Sequence, residues 1–278
     1  RRDGKGPVGP LVLSANSLDH LTLSVGGRPL LSDIDLDIAE GAFVGLLGPN
    51  GSGKTTLMRA ILGLHRQQAG RIAVFGEPVG QGHAAIGYLP QTHAAPPDVG
   101  LSGRAFLAAS VAGHRFGLPV VSAAARRDID WALEAVDGVA LAERPFSAMS
   151  GGQRQRLLIA EALIGRPRLL LLDEPLISLD QHQQHVIVTL VRRLSKEFGL
   201  TVLFSAHELN QLLGAIDQVL YLGGGAAVLG TVDEVVTPET LSRLYGTKID
   251  VIRASGRIFV MSGGEHIERE HHHDHAHL

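Results

Sequence analysis

The chain has no cysteine in its 278 residues, which excludes disulfides, zinc-finger sites and thiol catalysis. Long apolar runs are missing as well. The run Leu169–Leu172 stops at Asp173, far short of the ~18 residues that cross a bilayer. The opening RRDGKGPVGP is followed only by LVL, too short a stretch for a secretory signal. There is no excess of positive charge either: 25 basic against 28 acidic residues give a formal charge of −3. That argues against a sequence-independent nucleic-acid binder, which needs a basic surface to displace counterions. Lysine is scarce, with Lys5, Lys54, Lys196 and Lys248 alone, so a lysine inside a motif stands out. What is abundant is apolar residue, 45% of the chain against 19% charged. A soluble, globular, cytoplasmic protein is expected.

Periodicity then places the elements. Residues 1–12 are rich in glycine and proline and are expected to be a mobile tail. Ile34, Leu36 and Ile38 alternate with Asp33, Asp35 and Asp37, the pattern of a strand with one wet face. Phe43–Leu47 is continuously apolar, as strands buried on both faces are. A helix is expected from Gly53, with Leu57, Ile61 and Leu64 on one face, then strands at 71–75 and 85–89. Strand signals vanish over 92–166, where Ile129, Leu133 and Val136 recur at helical spacing; this segment reads as a helical insertion. Alternation resumes with strand Leu169–Leu172, helix 180–198, strand Thr201–Ser205, helix 208–214 and strand 218–222. Strands alternating with helices predict an α/β fold with a mainly parallel sheet covered on both faces. Thr237 and Pro238 make a cap and first turn for a short helix ending at Tyr245. Val251 and Ile258 to Val260 suggest a small β extension over 246–264, and 265–278 is a histidine-rich tail. No internal repeat is visible.

Gly48-Pro49-Asn50-Gly51-Ser52-Gly53-Lys54-Thr55 fits the phosphate-loop pattern, two glycines separated by four residues and followed by Lys and Ser/Thr. Glycines let successive backbone N–H groups turn inward on a phosphate. The helix that the loop opens adds the partial positive charge of its N-terminus. Lys54 supplies a full charge for the β- and γ-phosphates, and the Thr55 hydroxyl can ligate Mg²⁺, with Thr56 next in line. An acidic partner for the metal follows the strand Leu169–Leu172: Asp173 and Glu174. Strand geometry points them in opposite senses. The economical assignment puts Asp173 on Mg²⁺ and Glu174 on the attacking water.

With these residues in view, Ser150-Gly151-Gly152-Gln153, between Met149 and Arg154-Gln155-Arg156, resembles the signature of ATP-binding cassette ATPases. The resemblance spans about 13–245 with the motifs in family order. Tyr88-Leu89-Pro90-Gln91 is similar to the Q-loop, Ser178-Leu179-Asp180 to the D-loop, and His207 to the switch histidine. It implies a phosphate-loop NTPase core with an antiparallel β part near the N-terminus and a helical subdomain over about 92–166. It further implies ATP and Mg²⁺ as ligands, with Gln91 sensing metal and water and His207 on the γ-phosphate. Two copies would pair head to tail, ATP lying between the phosphate loop of one and the signature of the other. A capped helix alone accounts for Ser150 but leaves the glycine pair and Gln153 over. The chain departs from the family at Val25, where an aromatic residue usually stacks on adenine, and at Met149, where leucine is usual.

A cassette without a span implies separate integral membrane permease subunits and, indirectly, an extracytoplasmic substrate-binding protein. The chain would then sit peripherally on the cytoplasmic side of the membrane. The resemblance is nearest to zinc or manganese importers, through Val228-Leu229-Gly230-Thr231 and Leu244-Tyr245-Gly246. Siderophore or cobalamin importers are the runner-up, and a soluble cassette protein acting on nucleic acid or the ribosome is disfavoured by charge. In the tail, His271, His272, His273, His275 and His277 are candidate ion ligands, since neutral imidazoles suit zinc, copper and nickel.

Overall fold

The computed structural model describes residues 14–80, 82–91, 100–112 and 122–262. The terminal segments read as a mobile tail and a histidine-rich tail, with the five candidate tail ligands, lie outside these residues.

The chain opens with a hairpin, β1 (Ser14–Val25) and β2 (Arg28–Ala39), turned by Gly26 and Gly27 at φ 59 and 78. On β2 the alternation holds: Leu31, Ile34 and Ile38 are buried while Asp33, Asp35 and Asp37 are exposed. β3 (Phe43–Leu47) is buried at every residue and feeds α1 (Lys54–Ile61). The helix is shorter than its apolar spacing suggested. It ends at Ile61, Gly63 adopts φ 70, and Leu64 is 62% exposed. A glycine in the left-handed region is a helix stop, and it turns Leu64 off the buried stripe. β4 (Ala69–Val74), β5 (Glu77–Pro78) and β6 (Ile86–Leu89) follow.

Next come α2 (Gly103–Ala112), α3 (Ala123–Ala135) and α4 (Gly151–Leu163), so the described part of the expected insertion is helical. β7 (Leu169–Leu172), α5 (Gln181–Phe198), β8 (Thr201–Ser205), β9 (Gln218–Gly223) and β10 (Ala226–Gly230) complete the alternation. The helix expected over 208–214 is instead one 3₁₀ turn, Leu209–Gln211. Gly214 at φ 81 stops it, and the Asn210 amide is engaged elsewhere, with both backbone groups of Ile258. α6 (Val232–Val235) and α7 (Pro238–Tyr245) lead into a hairpin, β11 (Ile249–Ala254) and β12 (Arg257–Ser262).

The six-stranded sheet runs β10-β9-β3-β8-β7-β6, parallel except for the β9–β10 pair. A second, antiparallel sheet runs β2-β1-β4-β5. The strands of the main sheet divide two cores. Leu170, Leu172, Val202 and Phe204 point to the side packed with α2–α5. Leu169, Leu171 and Leu203 point to the side closed by α1 and the antiparallel sheet. Sheet and helices together carry the carboxyl ends of β3, β7 and β8 to one edge, the usual place for ligand contact in such sheets. Among the described residues, no helix is long and apolar enough to cross a membrane.

Candidate active site

Between β3 and α1 the loop bends as its glycines allow. Gly48 sits at φ 143, and a Cβ there would lie 2.3 Å from the Leu222 carbonyl oxygen. Gly53, at φ 105, is the N-cap of α1 and offers no side chain to it, so the first N–H groups of the helix are left for another acceptor. Pro49, Asn50 and Gly51 are exposed. Lys54 is only 6% exposed, and its ammonium donates to the carbonyls of Gly48 at 2.8 Å and Pro49 at 3.3 Å. Burial lowers its pKa, against the pull of Glu174 and Asp173, which favour the charge. The buried Ser52 hydroxyl has no hydrogen-bond partner among the described residues.

The acidic pair lies where β7 ends. Asp173 is fully buried; burial raises its pKa, while the nearby Thr55 and Ser205 hydroxyls oppose the rise. Ser205 Oγ donates to Asp173 Oδ1 at 2.9 Å and accepts the Glu174 N–H at 2.8 Å. The other oxygen, Asp173 Oδ2, is buried without a hydrogen-bond partner among the described residues. Glu174 takes φ 52, a left-handed backbone that costs a non-glycine residue about 1–3 kcal/mol. Gln91 Nε2 donates to Glu174 Oε2 at 2.6 Å, and His207 Nε2 lies 2.9 Å from the same oxygen. Neighbours in sequence, the two carboxylates thus answer to different partners. Oε1 of Glu174 is the oxygen that neither Gln91 nor His207 holds.

The signature segment is explained more locally than its sequence suggested. Ser150 caps α4, accepting the Gln153 N–H, and the Gln153 side chain accepts the Ser150 N–H in return. Gln153 is therefore the far half of a capping box, and helix capping accounts for it after all. The glycine pair divides: Gly152 is buried, and a Cβ there would lie only 1.9 Å from Gln183 Oε1, whereas Gly151 is exposed, with a Cβ standing 3.3 Å from Leu179 Cδ2. Asp180 caps α5, accepting the Gln183 N–H at 2.8 Å. Val25 ends β1 at 52% exposure, an apolar surface free to meet a flat ligand. Ser205 was missed from sequence. Its signal was register: Leu172 pairs with Phe204 across β7 and β8, so Asp173 is level with Ser205.

A loop presenting backbone donors and a lysine, beside one carboxylate with an uncommitted oxygen and another held by two side chains, defines a nucleoside triphosphatase of the phosphate-loop class. The chain belongs to the ABC transporter family, whose model matches residues 31–177; cassettes of this family bind and hydrolyse ATP to power transport. It is 34% identical to the iron(3+)-hydroxamate import ATP-binding protein FhuC of Bacillus subtilis, over 86% of this chain and 91% of that protein. It is 33% identical to the manganese transport system ATP-binding protein MntB of the same organism, over 85% and 94%. It is 34% identical to the zinc import ATP-binding protein ZnuC of Pseudomonas aeruginosa, over 94% and 87%. Among solved structures it resembles an inward-facing metal-chelate type ABC transporter, with TM-score 0.73 and 27% identity over 89% of this chain and 96% of that one.

Proposed function

We propose that this chain is the ATP-hydrolysing subunit of an importer for a metal ion or metal chelate, with zinc or manganese as the cargo. The observation that carries the hydrolytic part is the meeting of Gln91 and His207 on one oxygen of Glu174. A carboxylate so held is oriented before substrate arrives, which is what a general base needs. Glu174 polarises the attacking water, His207 fixes Glu174 and faces the γ-phosphate, and the loop donors and Lys54 take the phosphate oxygens. Thr55, Asp173 and Gln91 would hold Mg²⁺, and the uncommitted Asp173 Oδ2 suits that role. The ion supplies charge neutralisation on the phosphates. Val25 packs against adenine. Ser150, Gly151 and Gly152 present the N-terminus of α4 to ATP bound by a second copy of the chain.

The cargo reading rests on the relatives, which are named for zinc, manganese and iron-hydroxamate transport. It makes the chain a peripheral subunit on the cytoplasmic face of the membrane, working with separate permease subunits and fed by an extracytoplasmic binding protein. The iron-hydroxamate relative supports a second reading, a ferric-chelate importer. The deciding experiment is ATP hydrolysis by the complex reconstituted in vesicles with its permease and binding protein. Stimulation by zinc or manganese is expected. Stimulation by ferric hydroxamate alone would transfer the chain to the second reading, and activity indifferent to all three would overturn both.

A further inference from the structure

The C-terminal hairpin supplies none of the residues assigned to the site, yet it carries the densest apolar exposure of the described chain. Ile252, Phe259 and Met261 are 47%, 45% and 45% exposed. Ile252 pairs directly with Phe259, and Met261 lies two residues beyond it opposite Asp250, so the three share one face. The opposite face holds Ile249 and Ile258, both buried in the main core, with Val260 at its outer end 39% exposed. Clustered apolar exposure of this kind marks an interaction surface.

Its charges say what fits it. Asp250 lies at one end of the outward face and Arg257, opposite Ala254, at the other, about 13 Å apart at strand spacing. Lys248 is 4.0 Å from Asp250, with both side chains at least half exposed, so that contact satisfies little. A face with an apolar middle and opposite charges at its ends is complementary to itself under a two-fold rotation. The same three apolar side chains border an open cavity of about 870 Å³ whose other walls include Gly48 of the phosphate loop, His207 and Gln181 at the start of α5. A body covering the nucleotide loop therefore also reaches the hairpin. We propose that the outward face of β11–β12 docks on the same face of a second copy, Asp250 of each meeting Arg257 of the other. The inference rests on the two-copy reading above. Asn210 gives the contact a route to the site. Its amide donates to the Ile258 carbonyl at 2.8 Å and accepts the Ile258 N–H at 2.9 Å, tying the hairpin to the segment that follows His207.

The test uses the full chain carrying Glu174→Gln, which is expected to bind ATP without cleaving it, with dimer dissociation followed by sedimentation in Mg-ATP and nucleotide binding checked in parallel. Arg257→Asp should weaken the dimer about tenfold or more, because it turns two attractions into repulsions. Adding Asp250→Arg should restore it to within about twofold. A dimer indifferent to Arg257→Asp, or not rescued by the exchange, overturns the hairpin contact and leaves the ATP-clamped pair standing. A chain that binds ATP and stays monomeric at every concentration overturns both. Truncation after Ser262 should leave the dimer unchanged; a dimer lost on truncation would assign the surface to the tail and overturn the proposal.

Discussion

The two large sheets solve opposite problems. In the parallel sheet β3, β7 and β8 are buried at every residue, so polar chemistry is pushed to the strand ends, where Gly48, Asp173, Glu174 and Ser205 collect. In the antiparallel sheet β2 keeps a wet face of aspartates, and its charges pair at the surface, with His20 beside Asp33 and Asp35. A dry sheet can hold a charged group only if partners surround it; a half-wet sheet needs no such care. Catalytic precision should therefore depend on the first and be nearly indifferent to the second.

The largest expected effect is at the dry edge. Glu174→Gln should slow hydrolysis by roughly 10²–10⁴-fold while ATP affinity, measured by equilibrium titration, stays near that of the parent. Loss of binding instead would mean that Glu174 shapes the pocket rather than the reaction. Next comes packing. Phe204 is fully buried, its ring centroid 5.8 Å from that of Phe43, and Phe204→Ala should cost about 3–5 kcal/mol in denaturant unfolding. Leu36→Ala, on the half-buried antiparallel sheet, should cost about 1–2 kcal/mol. Equal costs would erase the contrast between the sheets.

Val25→Tyr tests whether the wet sheet touches function. An aromatic contact adds about 0.5–1.5 kcal/mol, a two- to twelvefold gain in nucleotide affinity, and no gain would remove Val25 from the adenine. The smallest effect is that of His20. Its hydrogen bond to Asp33, then the charges of Asp35 and Asp33, raise its pKa above the ordinary value. A raised pKa stabilises the fold below the unfolded-state value of about 6.5 and ceases to do so as pH rises through the folded one. His20→Gln should thus lower Tm slightly near pH 5.5 and leave it unchanged near pH 9. A difference that grows with pH would reverse the argument.

The dry sheet was also the more legible. Phe43–Leu47, Leu169–Leu172 and the Val202–Phe204 middle of β8 are compact apolar runs, and the expected bounds of these three strands match the observed ones. β1 escaped notice because its pairing with β2 is broken by register shifts around Leu18, Leu21 and Leu23, and His20 at φ 47 interrupts the strand. Alternation cannot be seen where the backbone does not keep it. At the site, the phosphate loop and the acidic pair are contiguous in sequence and could be found. The meeting of Gln91, Glu174 and His207 brings together three distant segments, and the family pattern, not spacing, pointed to it. Tertiary roles such as that of Ser205, or of Asn210 on the hairpin, leave no local mark.

The Ser205 hydroxyl has a consequence for folding itself. A strand reading Leu-Leu-Leu-Leu, buried on both faces, packs almost equally well after sliding one residue along its neighbour, since every position presents the same side chain. Hydrophobic pattern, the usual guard against such slippage, is silent here. The guard is polar: in the native alignment one hydroxyl meets both Asp173 Oδ1 and the Glu174 amide, and a slipped strand would bury both without it. The hydroxyl that joins the two residues of the proposed acidic pair thus also marks the register of β7 on β8, so that a slipped strand is penalised at the same place where the proposed site would be lost.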